Sequence, residues 1–176
     1  GSERNWDYRF CWLRDSYYVL SAFHKLGHFE EMEGFLTFLL NIAEKQEHSR
    51  ERLAPVYKLD QSLPLPEIMH MNWEGFLGAR PVRSNNQAAE HVQNDVYGEM
   101  VLALAPIFFD ERFHHLRTPE HEQLMIHLAK LCAPVPAIEF LWSCALTDRV
   151  RALAFAHTGS GPAWLTVDIS PGRFGV

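Results

Sequence analysis

The sequence predicts an all-α protein, and three observations carry that reading. Apolar residues recur every three to four positions in about five stretches of the chain. Helix punctuation sits at the ends of those stretches: a glycine after the first, a proline late in the third and a Thr-Pro pair before the fourth. The composition, 47% hydrophobic and 22% charged over 176 residues, suits one globular domain with a buried core.

The first helix is expected over residues 16–26. Val19, Leu20, Phe23 and Leu26 fall at helical spacing, and Gly27 supplies the stop. A second helix should follow from about Glu30, with Glu30, Glu31 and Glu33 against its positive N-terminal end. Met32, Phe35, Leu36, Leu39, Leu40 and Ala43 form its buried stripe, and Gly34 is expected to permit close packing. The short Gly27-His28 connection makes the two a helical hairpin.

Residues 47–86 break the pattern. Pro55, Pro64, Pro66 and Pro81 exclude long helices, so a long loop region separates helices two and three. It carries Tyr57, Met69, Met71, Trp73 and Phe76, which need something to pack against. Long ordered loops of this kind often carry function.

The third helix is expected over residues 87–109, with Val92, Val96, Met100, Leu104 and Ile107 inward and Asn85 or Asn86 as its cap. Gln93, Asp95, Tyr97 and Glu99 are its polar positions, either a solvated face or part of a site, and Pro106 should kink or end it. Thr118 and Pro119 open a fourth helix with Leu124, Met125, Leu128, Leu131 and Cys132 buried. His114, His115, His121 and His127 read as surface residues; His121-Glu122 lacks the second histidine of a zinc-protease helix, because position 125 is Met125. Residues 141–157 read as a fifth helix, and residues 159–176 have no periodicity and receive no element.

The net charge of -6 and the lack of a Lys/Arg-rich run argue against a nucleic-acid partner. No apolar run reaches transmembrane length, so no membrane role is expected. Cys11, Cys132 and Cys144 are widely spaced among apolar neighbours and read as buried thiols outside any disulfide framework or zinc site. That pattern favours a reducing, cytoplasmic compartment. No phosphate loop, Cys-x-x-Cys pair or serine nucleophile elbow is present, and no cofactor is expected.

One stretch stands apart. Arg4-Asn5-Trp6-Asp7-Tyr8-Arg9-Phe10-Cys11-Trp12-Leu13-Arg14-Asp15 places three arginines, two aspartates and four aromatics in twelve residues. A core element would not carry so many charges, since an unpaired buried charge is costly. A plain surface loop would not spend two tryptophans. Aromatic rings that cover the apolar faces of a pyranose, beside charged groups that take its hydroxyls, are what a sugar site needs. The bland alternative is an ion-paired helix start.

The same stretch resembles the opening motif of the catalytic domain of glycoside hydrolase family 15, the family of glucoamylases, glucodextranases and some bacterial trehalases. The resemblance continues through Leu65-Pro66-Glu67, Trp73-Glu74-Gly75-Phe76, Gly78-Ala79-Arg80-Pro81-Val82-Arg83 and the segment from Asn86 to Glu99. It is continuous to about residue 116, patchy to 157 and absent beyond. It implies a partial (α/α)6 toroid of the six-hairpin glycosidase type over residues 1–157, with 158–176 as an unassigned tail. The open side of such an incomplete ring would be exposed, covered by self-association, or closed by a further C-terminal piece.

The resemblance also implies the chemistry: inverting, exo-acting hydrolysis of an α-linked glucoside, from an oligosaccharide or disaccharide substrate. Arg14 and Asp15 match the pair that holds the innermost glucose, with Trp12 and Arg80 beside the sugar. Glu139 matches the general acid, although the tryptophan before that glutamate is absent and the surrounding loop is shorter. Its neighbours Ile138 and Phe140 would raise its pKa by desolvation, as an acid requires. Inverting enzymes need a second carboxylate, about 6.5–9.5 Å away, to activate water. In the family that base lies beyond the region matched here, so this stretch alone is expected to be weakly active or inactive. The alternative is a non-catalytic remnant or helical interaction module derived from such a hydrolase.

Overall fold

In a computed structural model of the chain, the described residues are 4–49, 51–93, 95–131, 150–158 and 161–169, the last two as backbone alone. Helices dominate them, in keeping with the all-α expectation. The chain forms two compact units: residues 1–15 with 54–93, and residues 16–53 with 94–176.

The second unit holds most of the helical core. Helix α1 spans Leu13–Leu26 and α2 spans Phe29–Ser49. Gly27, at φ +78, lets the chain leave α1 in the left-handed conformation. Its N–H donates to the His24 carbonyl and that of His28 to Phe23, so the last turn of α1 is satisfied before α2 begins. Met32, Leu36, Leu39, Leu40, Ile42 and Ala43 of α2 are buried as their spacing requires. The stripe expected on α1 is narrower: Leu20 is buried, but Val19 and Leu26 are exposed. Gly34 also departs from expectation. A Cβ there would meet nothing within 4 Å, so it is not a close-packing residue.

The third helix starts later than the spacing suggested. Residues 87–90 form a 3-10 turn, and α3 runs only Asp95–Leu104. Asn86 caps the turn, its Oδ1 accepting from the Ala88 N–H at 3.0 Å. Val92, expected inside, is exposed. From Val96 onward the helix is nearly all buried, and the Tyr97 hydroxyl accepts from the Leu53 N–H at 3.3 Å. Pro106 acts as expected: α3 ends and a single turn, α4 (Pro106–Phe109), follows.

Helix α5 spans Pro119–Leu131, with Thr118 Oγ1 accepting from the His121 N–H at 3.2 Å. Leu124, Met125 and Leu128 are buried, whereas Leu131 is exposed. His121 is not a surface residue: its side chain is 15% exposed and pairs with Glu44 of α2 at 2.9 Å. The helix expected over 141–157 is overturned for residues 150–157. Strands β5 (Val150–Thr158) and β6 (Gly161–Ile169) pair antiparallel, so part of the segment given no element is also strand. Residues 152–156 are an unbroken apolar run, which periodicity alone does not tell from a buried helix segment. Residues 141–149, Cys132 and Cys144 lie outside the described residues.

The first unit is built from short ribbons. Strand β1 (Cys11–Trp12) pairs antiparallel with β2 (Val56–Tyr57), and β3 (Ile68–His70) with β4 (Val82–Ser84). The long loop region is therefore an ordered scaffold whose strands are too short for a period-two signal. Leu13, Val56 and Leu65 are its buried anchors. Cys11 is half-buried, not buried as expected. Gly75 is required where it stands: its φ is +75, and a Cβ would lie 2.0 Å from the Ala79 carbonyl oxygen. No helix among the described residues is long and apolar enough to cross a membrane.

Candidate functional site

The first unit carries an open hollow of about 760 Å3, within the usual range of small-molecule sites. The early half of the charged aromatic stretch forms one wall, through Trp6, Asp7, Tyr8 and Arg9. The strands β3 and β4 form the other, through His70, Val82, Arg83 and Ser84, with Trp73 from the turn that follows β3.

Asp7 is the pin of the first wall. Its side chain is only 4% exposed, and its carboxylate accepts from four N–H groups. Arg9 Nε and Nη2 fork onto it at 2.8 Å each, the Arg9 backbone N–H reaches it at 3.3 Å and the Asn85 N–H at 3.1 Å. The Arg9 hydrogen bonds hold the Asp7 carboxyl below the usual aspartate range, against the upward push of burial. The same pair raises the Arg9 guanidinium. Asn86 completes the brace, donating Nδ2 to the Asp7 carbonyl at 3.0 Å while its own oxygen caps the 3-10 turn. Asn85 adopts φ +62, a conformation asparagine tolerates, and donates its Nδ2 to the Pro66 carbonyl at 3.0 Å.

Arg83 fixes the second wall to the first. Its Nη1 donates to the Asn5 carbonyl at 2.8 Å, its Nε pairs with Glu67 at 3.1 Å, and its guanidinium lies 5.6 Å from the Trp6 ring centroid. Both arginines of the hollow are thus matched by carboxylates. What remains for a ligand is an electrically balanced surface of aromatic faces and polar edges, with Trp6, Tyr8 and Trp73 all exposed.

Three of the five sequence-predicted residues come together beside this hollow rather than in its lining. Arg14 and Asp15 begin α1 as an ion pair at 3.5 Å, with 48% and 58% of their side chains exposed. The Arg14 guanidinium sits 5.6 Å from the Trp12 ring, and Trp12 lies 6.2 Å from Tyr8, a lining residue. Arg80 stands apart, exposed, its Nε donating to the Glu74 carbonyl at 3.4 Å. Glu139 lies outside the described residues.

The hollow takes one wall from the charged aromatic stretch, through Trp6, Asp7, Tyr8 and Arg9, none singled out individually by the sequence, and the other through residues that include His70 and Ser84, which the sequence did not mark. The Asp-x-Arg spacing at Asp7 and Arg9 is the one local signal that could have found a forked pair. His70 and Ser84 meet only through the register of β3 with β4. Among the described residues no group of three or more His, Cys, Asp or Glu is placed to hold a metal ion. A second hollow, of about 670 Å3, lies in the other unit between α2 and Arg112 and Phe113. Its arginine is committed to Asp110 at 2.7 Å and to the Phe29 ring at 3.9 Å.

Comparison with known proteins decides the family. The model of "Glycosyl hydrolases family 15" matches residues 2–129. The chain belongs to glycosyl hydrolase family 15. Among curated relatives it is 38% identical over 104 residues to a trehalase of Thermoplasma volcanium, covering 59% of this chain and 16% of the relative. It is likewise 38% identical over 104 residues to trehalase 1 of Sulfolobus acidocaldarius, covering 59% and 18%. A trehalase of Mycobacterium tuberculosis matches at 35% over 101 residues, covering 56% and 15%. The matched part of the chain therefore spans under a fifth of the length of these relatives. No solved structure gives a significant match. The family match covers both walls of the hollow in the first unit.

Proposed function

We propose that this family 15 chain supplies the sugar-gripping wall of a glycoside hydrolase acting on α-linked glucosides, with trehalose the first candidate because the relatives are named trehalases. The observation that carries the reading is the balanced hollow. Exposed indole and phenol rings stand beside arginines already neutralised by Asp7 and Glu67. A phosphorylated ligand would want an unmatched cation, and a purely apolar one would not want this density of charge. A neutral polyol with apolar ring faces suits both features.

Within that reading, Arg14 and Asp15 grip the terminal glucose beside Trp12, Arg80 lies farther along the sugar, and Glu139 is the general acid. Asp7 is not a candidate for either catalytic carboxylate. Its oxygens already accept four N–H groups, and a depressed pKa removes both its proton and its appetite for one. The inverting route would then draw its base from a carboxylate other than Asp7.

The test is calorimetric titration of the chain with glucose, maltose and trehalose. Binding is expected, and Asp15→Asn should weaken it about tenfold or more, as loss of a charged hydrogen-bond acceptor does. Equal affinity in the variant would remove Asp15 from the site. In protein that releases glucose, Glu139→Gln should lower kcat at least about a hundredfold; unchanged turnover would exclude Glu139 as the acid.

A further inference from the structure

The hollow contains one arrangement that the gripping role of Arg14 and Asp15 does not use. Trp73 is 59% exposed, yet its indole is not loose. It stacks on the His70 imidazole with centroids 4.4 Å apart and planes 16° from parallel. Its backbone N–H donates to the His70 carbonyl at 3.2 Å, which closes the turn that swings the indole back over the imidazole. His70 is fixed in turn, its Nε2 lying 2.8 Å from Ser84 Oγ. The register explains why these meet. His70 pairs with Val82 and Ile68 with Ser84, so His70 and Ser84 are diagonal neighbours on one face of the β3–β4 ribbon.

Exposure alone would mean little, since Phe76 and Leu77 are more exposed still. Trp73 differs from them in two ways. It lines the hollow, which they do not, and one of its faces is braced by a flat partner that is itself anchored. Trp6 on the facing wall is arranged alike, with the Arg83 guanidinium over its ring. Two braced indoles thus open on one space large enough for more than a single small ring. Bracing an aromatic before the ligand arrives lowers the ordering cost of binding.

We propose that Trp73, held flat by His70 and Ser84, is a second stacking platform for a saccharide ring, so that the hollow takes a disaccharide-length ligand spanning Trp6 and Trp73. The proposal rests on the sugar-binding reading of the hollow given above. Trp73 touches the ligand; His70 and Ser84 are positioning residues.

The experiment compares methyl α-glucoside, a single ring, with trehalose and maltose, by calorimetry on the whole chain and its variants. Trp73→Ala should weaken both disaccharides about fivefold to tenfold while leaving the single ring within about twofold. His70→Ala should reproduce part of that loss. His70→Phe, which keeps a flat partner, should restore affinity, and Ser84→Ala should fall between. In the wild-type chain the disaccharides should change tryptophan emission, and Trp73→Phe should remove most of that change. Wild-type disaccharide affinity in Trp73→Ala, with sugar binding intact, overturns the second platform and leaves the hollow as a sugar site. Equal losses for one ring and two overturn it as well. No saccharide binding by the wild-type chain overturns both readings together.

Discussion

Replacing Asp7 by alanine removes the acceptor on which the first wall of the hollow is hung, and the cost can be worked from its four hydrogen bonds. The Arg9 side chain is 79% exposed, so its guanidinium regains water when the carboxylate goes and contributes nothing that should be counted as stability. The Arg9 backbone contact, at 3.3 Å, is long and adds little. The Asn85 N–H, at 3.1 Å, loses an ionised acceptor in a part-buried site. A bond of that kind is worth about 1.5–3 kcal/mol, so Asp7→Ala should cost roughly 2 kcal/mol at neutral pH. The pH dependence has a definite sign. The folded carboxyl titrates below the ordinary value of 3.8, so its stabilisation is fully present above that value. It is lost as pH falls through the lower, folded value. Urea unfolding followed by tryptophan emission, at neutral pH and at steps below 3.8, should show a gap between wild type and variant that closes in acid. An unfolding midpoint unchanged at neutral pH would refute the reasoning. So would a gap of constant size down to the lowest pH.

The other predictions concern the scaffold. Gly34→Ala should stabilise the protein by about 0.5–1 kcal/mol in thermal unfolding, because the position is mid-helix and a Cβ meets nothing within 4 Å. Gly75→Ala should do the reverse: its Cβ would collide with the Ala79 carbonyl at 2.0 Å, and saccharide binding measured by calorimetry should drop with stability. Tyr97→Phe strands the buried Leu53 N–H and should cost about 1–3 kcal/mol by urea denaturation. Leu36→Ala, at a fully buried position of α2, should cost about 2–5 kcal/mol by the same measurement.

What could be read in advance follows from how far apart the interacting residues lie. The helices α1, α2 and α5 were legible because their signals are local: Gly27 leaving α1, the three-to-four spacing of α2, Thr118 and Pro119 opening α5. The third helix misled because Val92 continues the spacing of Val96 and Met100 in a segment where Asn86 starts a 3-10 turn instead. The β5–β6 hairpin was invisible because apolar residues such as Leu153 and Ala154 carry no strand signal without its partner strand. Of the hollow's two walls, the one drawn from the stretch Arg4 to Asp15 stood out by composition. The identity of the hollow's second wall did not, because His70 reaches Ser84 only across a ribbon of three residues per strand. Arg83 reaches Asn5 across 78 positions, a contact that no local pattern encodes.

The most direct measurement is a nuclear magnetic resonance titration of the isotope-labelled chain with trehalose, following the indole N–H signals of Trp6 and Trp73. If the hollow holds a sugar, both signals shift along a single saturable curve, and Asp15→Asn weakens that curve. If neither signal moves at the highest trehalose concentration, the hollow is not a sugar site.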